Sequence, residues 1–182
     1  MSRINTQNIE FSKDYLEHIL NGIKKLRVGI IGDACLDIYW QADMTLSELS
    51  RETPHFPLPI VNERMSLGGG GNVAANVHDL GTDNTLMLTV IGEDWRGEQL
   101  MKLFEEKGIN TDNIIISNKV TTPAYCKPIR KGISEIQYED PRIDFENREP
   151  IDRSIEDEIL NKLDKFYEEI DVLLVVDQLK NG

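Results

Sequence analysis

Three carboxylates stand where a buried strand would end. Asp33 and Asp37 follow the apolar run Leu26-Arg27-Val28-Gly29-Ile30-Ile31, and Asp177 follows Val172–Val176. A carboxylate at such an exit can cap the next segment or accept two hydrogen bonds from vicinal hydroxyls. Between them four consecutive glycines, Gly68 to Gly71, lead into Asn72-Val73-Ala74-Ala75-Asn76-Val77. Glycines ahead of a helix let the backbone approach a ligand and leave helix-start N–H groups free. That end favours an anion or a hydroxyl-rich ligand, and Asn72, in the first turn, can both donate to and accept from sugar hydroxyls. The bland reading of the same run is a loop that needs positive φ. A rival is the dinucleotide fingerprint, since Gly69 through Ala74 satisfies G-x-G-x-x-A and Glu93 or Asp94 ends the following strand. That fingerprint follows a buried strand directly, whereas Asn62-Glu63-Arg64-Met65-Ser66 precedes these glycines. No P-loop pattern occurs.

The other reactive residue types are less suggestive. His18, His55 and His78 share no metal-ligand spacing, and His78 reads as a partly buried structural residue. Cys35 and Cys126 stand far apart, which suits a reducing compartment, and Cys35 reads as a small packed residue. Trp40 and Trp95 read as packing, with Trp40 close enough to the proline-rich segment to cover a ligand.

The elements that must position these groups alternate in type. Ser12–Lys25 has helical periodicity with Ser12 as N-cap. Leu26–Ile31, Thr85–Ile91, Ile114–Ile116, Thr121–Arg130, Ile133–Tyr138 and Val172–Val176 read as strands, with a hairpin turn at Lys131-Gly132. Helices are expected after the glycines, ending at Gly81, and from the Asp94 cap to Gly108. Another covers Ser154–Ile170, with Ser154 and Asp157 as a capping box. Between Tyr39 and Val61, Pro54, Pro57 and Pro59 forbid helix and central strand, so the segment reads as an edge ribbon or flap. Alternating strands and helices give an α/β fold, a doubly wound, mainly parallel sheet in which ligands bind beyond the strands' carboxyl ends.

Composition narrows the partners. The 182 residues carry 20 Lys+Arg against 32 Asp+Glu, a formal net charge of −12. Such a surface repels phosphate backbones and anionic lipid, so neither nucleic acid nor a membrane surface is an expected partner. The aliphatic runs are too short to span a bilayer, and polar Met1–Gln7 has no secretory apolar region. A cytoplasmic protein is expected.

Taken together, Gly68-Gly69-Gly70-Gly71-Asn72-Val73-Ala74, Leu80-Gly81, Ile91-Gly92-Glu93-Asp94-Trp95-Arg96-Gly97-Glu98-Gln99-Leu100 and Gly108-Ile109 resemble the ribokinase (PfkB) family of carbohydrate kinases. Gly32-Asp33-Ala34-Cys35-Leu36-Asp37-Ile38-Tyr39-Trp40 is similar to the opening of its heptose-phosphate kinase branch, whose bifunctional members carry a fused adenylyltransferase. Arg142–Glu146 and Val176–Gly182 resemble later blocks of that branch. The resemblance implies a ribokinase-like fold over residues 26–182, with 1–25 as a helical extension. It implies a β lid at about 39–61, further lid strands at about 121–138, and a homodimer through the lid.

By the same resemblance Asp37, Gly69, Gly70 and Asn72 hold sugar hydroxyls, while Asp177 and Lys180 lie near the sugar-phosphate end. Cys35 stands where ribokinase itself bonds its sugar, so ribose is not carried over as substrate. ATP and Mg²⁺ are implied as cofactors. Their main site, and the Gly-Ala-Gly-Asp anion hole with the catalytic aspartate, belong to the family's second half. The chain is therefore expected to be the front part of a longer sugar kinase, with no catalytic residue of its own and no turnover alone. The alternative is a non-catalytic sugar- or dinucleotide-binding module.

Overall fold

The computed structural model describes residues 12–134 and 136–181, so the polar segment Met1–Gln7 lies outside the described residues. In chain order the elements are α1 (Lys13–Ile23), β1 (Arg27–Gly32), β2 (Ala34–Asp43), a 3-10 turn (Met44–Leu46), β3 (Ile60–Gly69), α2 (Gly70–Asp79), β4 (Asn84–Leu88) and β5 (Val90–Gly92). They continue as α3 (Trp95–Lys107), β6 (Ile115–Ser117), β7 (Ala124–Lys131), β8 (Gln137–Glu139), β9 (Ile143–Phe145), α4 (Arg153–Glu169) and β10 (Val172–Val176).

The strand β1 lies between β10 and β4, parallel to both, and β5 pairs parallel with β6. A strand buried on both faces needs cover above and below, and β1 has it. A side chain at Gly29 would meet Phe166 and Ile170, so α4 lies directly on that face. Val28 and Ile30 alternate to the other face, in the core formed with Ala74 of α2 and Leu100 and Phe104 of α3. Phe104 and Phe166 are fully buried, and each such side chain stabilises the fold by about 1.5–3 kcal/mol. This is the expected doubly wound arrangement.

A second sheet has the order β3-β2-β7-β8, with β9 also pairing with β7. Here β2 runs antiparallel to β3 and parallel to β7. One face of this sheet, through Leu36, Ile38, Leu67, Ala124 and Cys126, joins the same core under α2 and α3. The proline-rich stretch connects β2 and β3, tied by Ser47 Oγ donating to the Pro57 carbonyl at 2.6 Å and by Asp43 N–H donating to that of Pro59.

Several local expectations shift. The strand expected at Thr85–Ile91 breaks at Thr89, which is outside both β4 and β5 and whose carbonyl accepts from Ile115 N–H. Asp152, not Ser154, caps α4: its carboxylate accepts from Ser154 N–H at 2.8 Å and from the Ser154 hydroxyl at 2.6 Å. The turn at Lys131-Gly132 is longer than a two-residue hairpin, because β8 begins only at Gln137. Ser12 and Asp94 cap α1 and α3 as expected, and Gly108 closes α3 in the left-handed conformation.

Candidate functional site

The site forms where the chain passes from one sheet to the other. Gly32, at φ 135°, turns β1 out of the parallel sheet; a side chain there would collide with the Val176 carbonyl. Asp33 follows and fastens three segments together. Its N–H donates to the Val176 carbonyl, and its own carbonyl accepts from Gly70 N–H at the start of α2. Its carboxylate accepts from the N–H groups of Gln178 and Leu179, both at 2.7 Å. Asp33 is thus the cap of the β10 exit, the structural one of the two roles its position allowed.

Beyond it lies a cleft of about 280 Å³ lined by Asp33, Cys35, Asp37, Gly69, Tyr125, Arg142, Gln178 and Leu179. Asp37 holds an ion pair with Lys127 at 3.1 Å, the two side chains being 19% and 20% exposed. The Lys127 ammonium also donates to the Tyr39 hydroxyl at 3.1 Å. Burial works against that ammonium, but the bonds to Tyr39 and Asp37 outweigh it and lift its pKa above the ordinary value. Lys127 is therefore charged at neutral pH. Cys35 faces the cleft floor, where burial and then the neighbouring Asp37 charge push its thiol up to about 12. A thiol so protonated is a packed group rather than a nucleophile.

The wall opposite Gly69 comes from β7 and β9. The Arg142 guanidinium forks onto Asp144 at 2.6 and 2.7 Å and lies 4.3 Å from the Tyr125 ring centroid. The Tyr125 hydroxyl donates to Glu146 at 3.0 Å; burial, then that carboxylate, raises its pKa.

Of the residues singled out in the sequence, Asp37 and Gly69 line the cleft. Gly70 is buried beneath it, with too little room for a side chain beside Asp33. Asn72 is exposed on α2 and Asp177 is exposed at the β10 exit, and neither lines the cleft. Lys180 borders a neighbouring polar groove with Asp144, Glu146, Asn147 and Arg148. Tyr125, Lys127 and Arg142 join the site without a local motif to mark them. The signal was the alternation of Tyr125 and Lys127 with the core residues Ala124 and Cys126. Trp40 turns the other way, packing on the core. Among the described residues no group of His, Cys, Asp and Glu could hold a metal, and no helix is long and apolar enough to cross a membrane.

The glycine run leaves an antiparallel strand, β3, rather than the parallel strand a dinucleotide fingerprint requires. Comparison with known proteins points elsewhere. Residues 36–159 match the pfkB family carbohydrate kinases. The chain is 33% identical over 171 residues to the bifunctional protein HldE of Trichlorobacter lovleyi, covering 91% of this chain and 32% of that relative. It is also 33% identical over 127 residues to the D-beta-D-heptose 7-phosphate kinase of Bordetella bronchiseptica, covering 68% of this chain and 37% of that protein. It therefore spans about a third of the length of the curated relatives it matches. In structure it is similar to a Clostridium perfringens protein assigned as a sugar kinase. The TM-score is 0.59 at 16% identity, over 82% of this chain and 43% of that one.

Proposed function

The chain belongs to the pfkB family of carbohydrate kinases, and we propose that it is the sugar-binding part of an ATP-dependent kinase whose acceptor is a heptose phosphate or a similar sugar. In this reading the Asp37 carboxylate accepts hydrogen bonds from two vicinal hydroxyls. Gly69, at φ 55°, lies against the Asp33 carbonyl where a side chain would collide, and its backbone lines the cleft beside Asp37. Holding the acceptor hydroxyl in one orientation is the larger part of catalysis in phosphoryl transfer. The observation that carries the reading is the convergence of Asp37, Gly69 and the Asp33-tied β10 exit on one cleft. It lies beyond the carboxyl ends of β1 and β10, where such sheets bind ligands.

ATP and Mg²⁺ are the family's cofactors; among the described residues no cluster of His, Cys, Asp and Glu could hold the metal ion. Ser12, Asp94 and Asp152 close the starts of α1, α3 and α4 with their own side chains. The Gly70 N–H of α2 is taken by Asp33. Only α2, among the described helices, starts without a side-chain cap. The β2–β3 ribbon and the β7–β8 strands serve as the lid over the sugar. Leu46, Leu49, Phe56, Ile60 and Val61, all exposed on or beside the connection, supply an apolar contact for a second copy. Such a kinase works in the cytoplasm, where ATP is plentiful.

The test is a panel of sugars and sugar phosphates offered with Mg·ATP to the full-length protein. Transfer to a carbohydrate hydroxyl, strongest for a heptose phosphate, is the expected result. Absence of transfer to every carbohydrate, with NAD(H) binding instead, would overturn the reading in favour of a dinucleotide module.

A further inference from the structure

A second recess, of about 180 Å³, lies beside the sugar cleft on the α4 side of the parallel sheet. Gly29 of β1 faces α4, and side chains alternate along a strand, so Ile31 points the same way. Ile31 and its register neighbour Leu88 of β4 line the recess together with Ile159 of α4. Val90 and Pro123 extend this apolar wall. Asp33 and Leu179 line both the recess and the cleft, so the Gln178–Leu179 strap at the β10 exit is the partition between the two.

The lining limits what such a recess can take. Three polar side chains border it, those of Asp33, Thr89 and Asn147. The Asp33 carboxylate is committed to the N–H groups of Gln178 and Leu179. Asn147 closes on Thr121, accepting from its N–H at 2.8 Å and donating to its carbonyl at 3.1 Å. Of the three, only Thr89, 5% exposed, has a side chain that makes no hydrogen bond to another described residue. The wall is thus apolar with a single polar handle, the pattern of a small-molecule pocket. An apolar cavity of about 150 Å³ stays dry and takes benzene, so a recess of about 180 Å³ has room for one ring and one polar atom.

We propose that this recess binds a small, mainly apolar ligand, a single aromatic ring or branched alkyl group whose one hydrogen-bonding atom meets the Thr89 hydroxyl, and that its occupant tightens the sugar cleft through Leu179. Asp33 holds the backbone of the strap, and an occupant of the recess adds apolar contacts to the Leu179 side chain on its recess side. The strap is then stiffer, and a sugar loses less conformational entropy in ordering it. The coupling, though not the recess itself, rests on the reading of the Asp37 cleft as the sugar site.

The test is calorimetric titration of the full-length protein with phenol and with toluene, repeated on Thr89→Val and Ile159→Trp. The valine keeps the shape of the wall and removes its hydroxyl, and the tryptophan fills the recess. Expected for the wild type is one site for each probe. Thr89→Val should weaken phenol by about 3- to 10-fold and leave toluene unchanged. Ile159→Trp should weaken both by at least about 10-fold. Saturating phenol should tighten binding of the sugar accepted in the kinase panel by about 5-fold, and the sugar should tighten phenol by the same factor. Binding of neither probe by the wild type, phenol affinity unchanged in Thr89→Val, or either affinity unchanged in a folded Ile159→Trp would overturn the site. If the tryptophan variant melts early, the valine variant decides. Unchanged sugar affinity in saturating phenol would overturn the coupling and leave the recess a binding site. Phenol binding in a protein that binds no sugar would overturn the sugar reading instead.

Discussion

Asp94 offers a perturbation whose cost can be worked from its bonds. One carboxylate oxygen accepts from the N–H groups of Arg96 and Gly97 at 3.1 and 3.0 Å, capping α3. The other accepts from Thr122 N–H at 3.0 Å and pairs with the Arg96 guanidinium at 3.0 Å. One side chain therefore ties the start of α3 to the segment that leads into β7 and so places Tyr125 and Lys127. Losing the cap costs about 0.5–2 kcal/mol, and losing the charged bond to Thr122 N–H adds about 1.5–3 kcal/mol. Asp94→Ala is thus expected to lose about 2–5 kcal/mol. In a domain of this size each kcal/mol moves Tm by roughly 2–4 °C, so the shift is on the order of 10 °C.

Asp94→Asn, which keeps a cap but loses the charge, should fall between wild type and Asp94→Ala. Burial raises the Asp94 pKa, but the N–H groups of Gly97 and Thr122 and the Arg96 charge more than offset it, leaving the value below the ordinary one. The folded pKa is therefore depressed relative to the unfolded value of about 3.9. The carboxylate's contribution is present in full above that value and is lost as pH falls through the folded pKa. Thermal melts of the three proteins between pH 3 and pH 8 provide the assay. A loss under about 1 kcal/mol in Asp94→Ala at pH 7, or a gap between wild type and Asp94→Asn that widens on acidification, would refute the reasoning.

Other outcomes follow from the same geometry. Gly32→Ala is expected to unfold or strongly destabilise the protein, because its Cβ would lie 1.9 Å from the Val176 carbonyl at a φ reserved for glycine; circular dichroism melts report it. Iodoacetamide at pH 8 should label neither Cys35 nor Cys126 in the native protein and both in denaturant, since both thiols are buried and burial raises both pKa values. Light scattering should find a dimer, and replacing the exposed Phe56 and Val61 by Asp should shift it to monomer with the far-UV circular dichroism spectrum unchanged.

What the sequence made legible was the order of elements and the exits that matter. The Gly32-Asp33 break and the glycine run mark conformations other residues resist, so both could be read locally. The caps at Ser12 and Asp94 and the stop at Gly108 were legible for the same reason. The α4 cap was misplaced by two residues because Asp152 and Ser154 are both good caps, and only the path after Pro150 favours the first. The cleft wall was harder to find. Tyr125 and Arg142 reach Asp37 only through the parallel pairing of β2 with β7 and the return of β9. Long-range registers of that kind leave no trace in local spacing. Asn72 shows the reverse case: local spacing places it in a first helical turn, but only the fold shows that its side chain is exposed and does not line this cleft.

The central claim is that the Asp37 cleft holds the sugar whose hydroxyl is phosphorylated. Its most direct test is kcat/KM for the best sugar acceptor in Asp37→Asn of the full-length protein, with folding checked by its melt. Two charge-assisted hydrogen bonds at about 1.5 kcal/mol or more each predict a fall of at least about 100-fold. A value within about threefold of wild type, a difference of less than about 0.7 kcal/mol, in a protein that melts normally, would contradict the account.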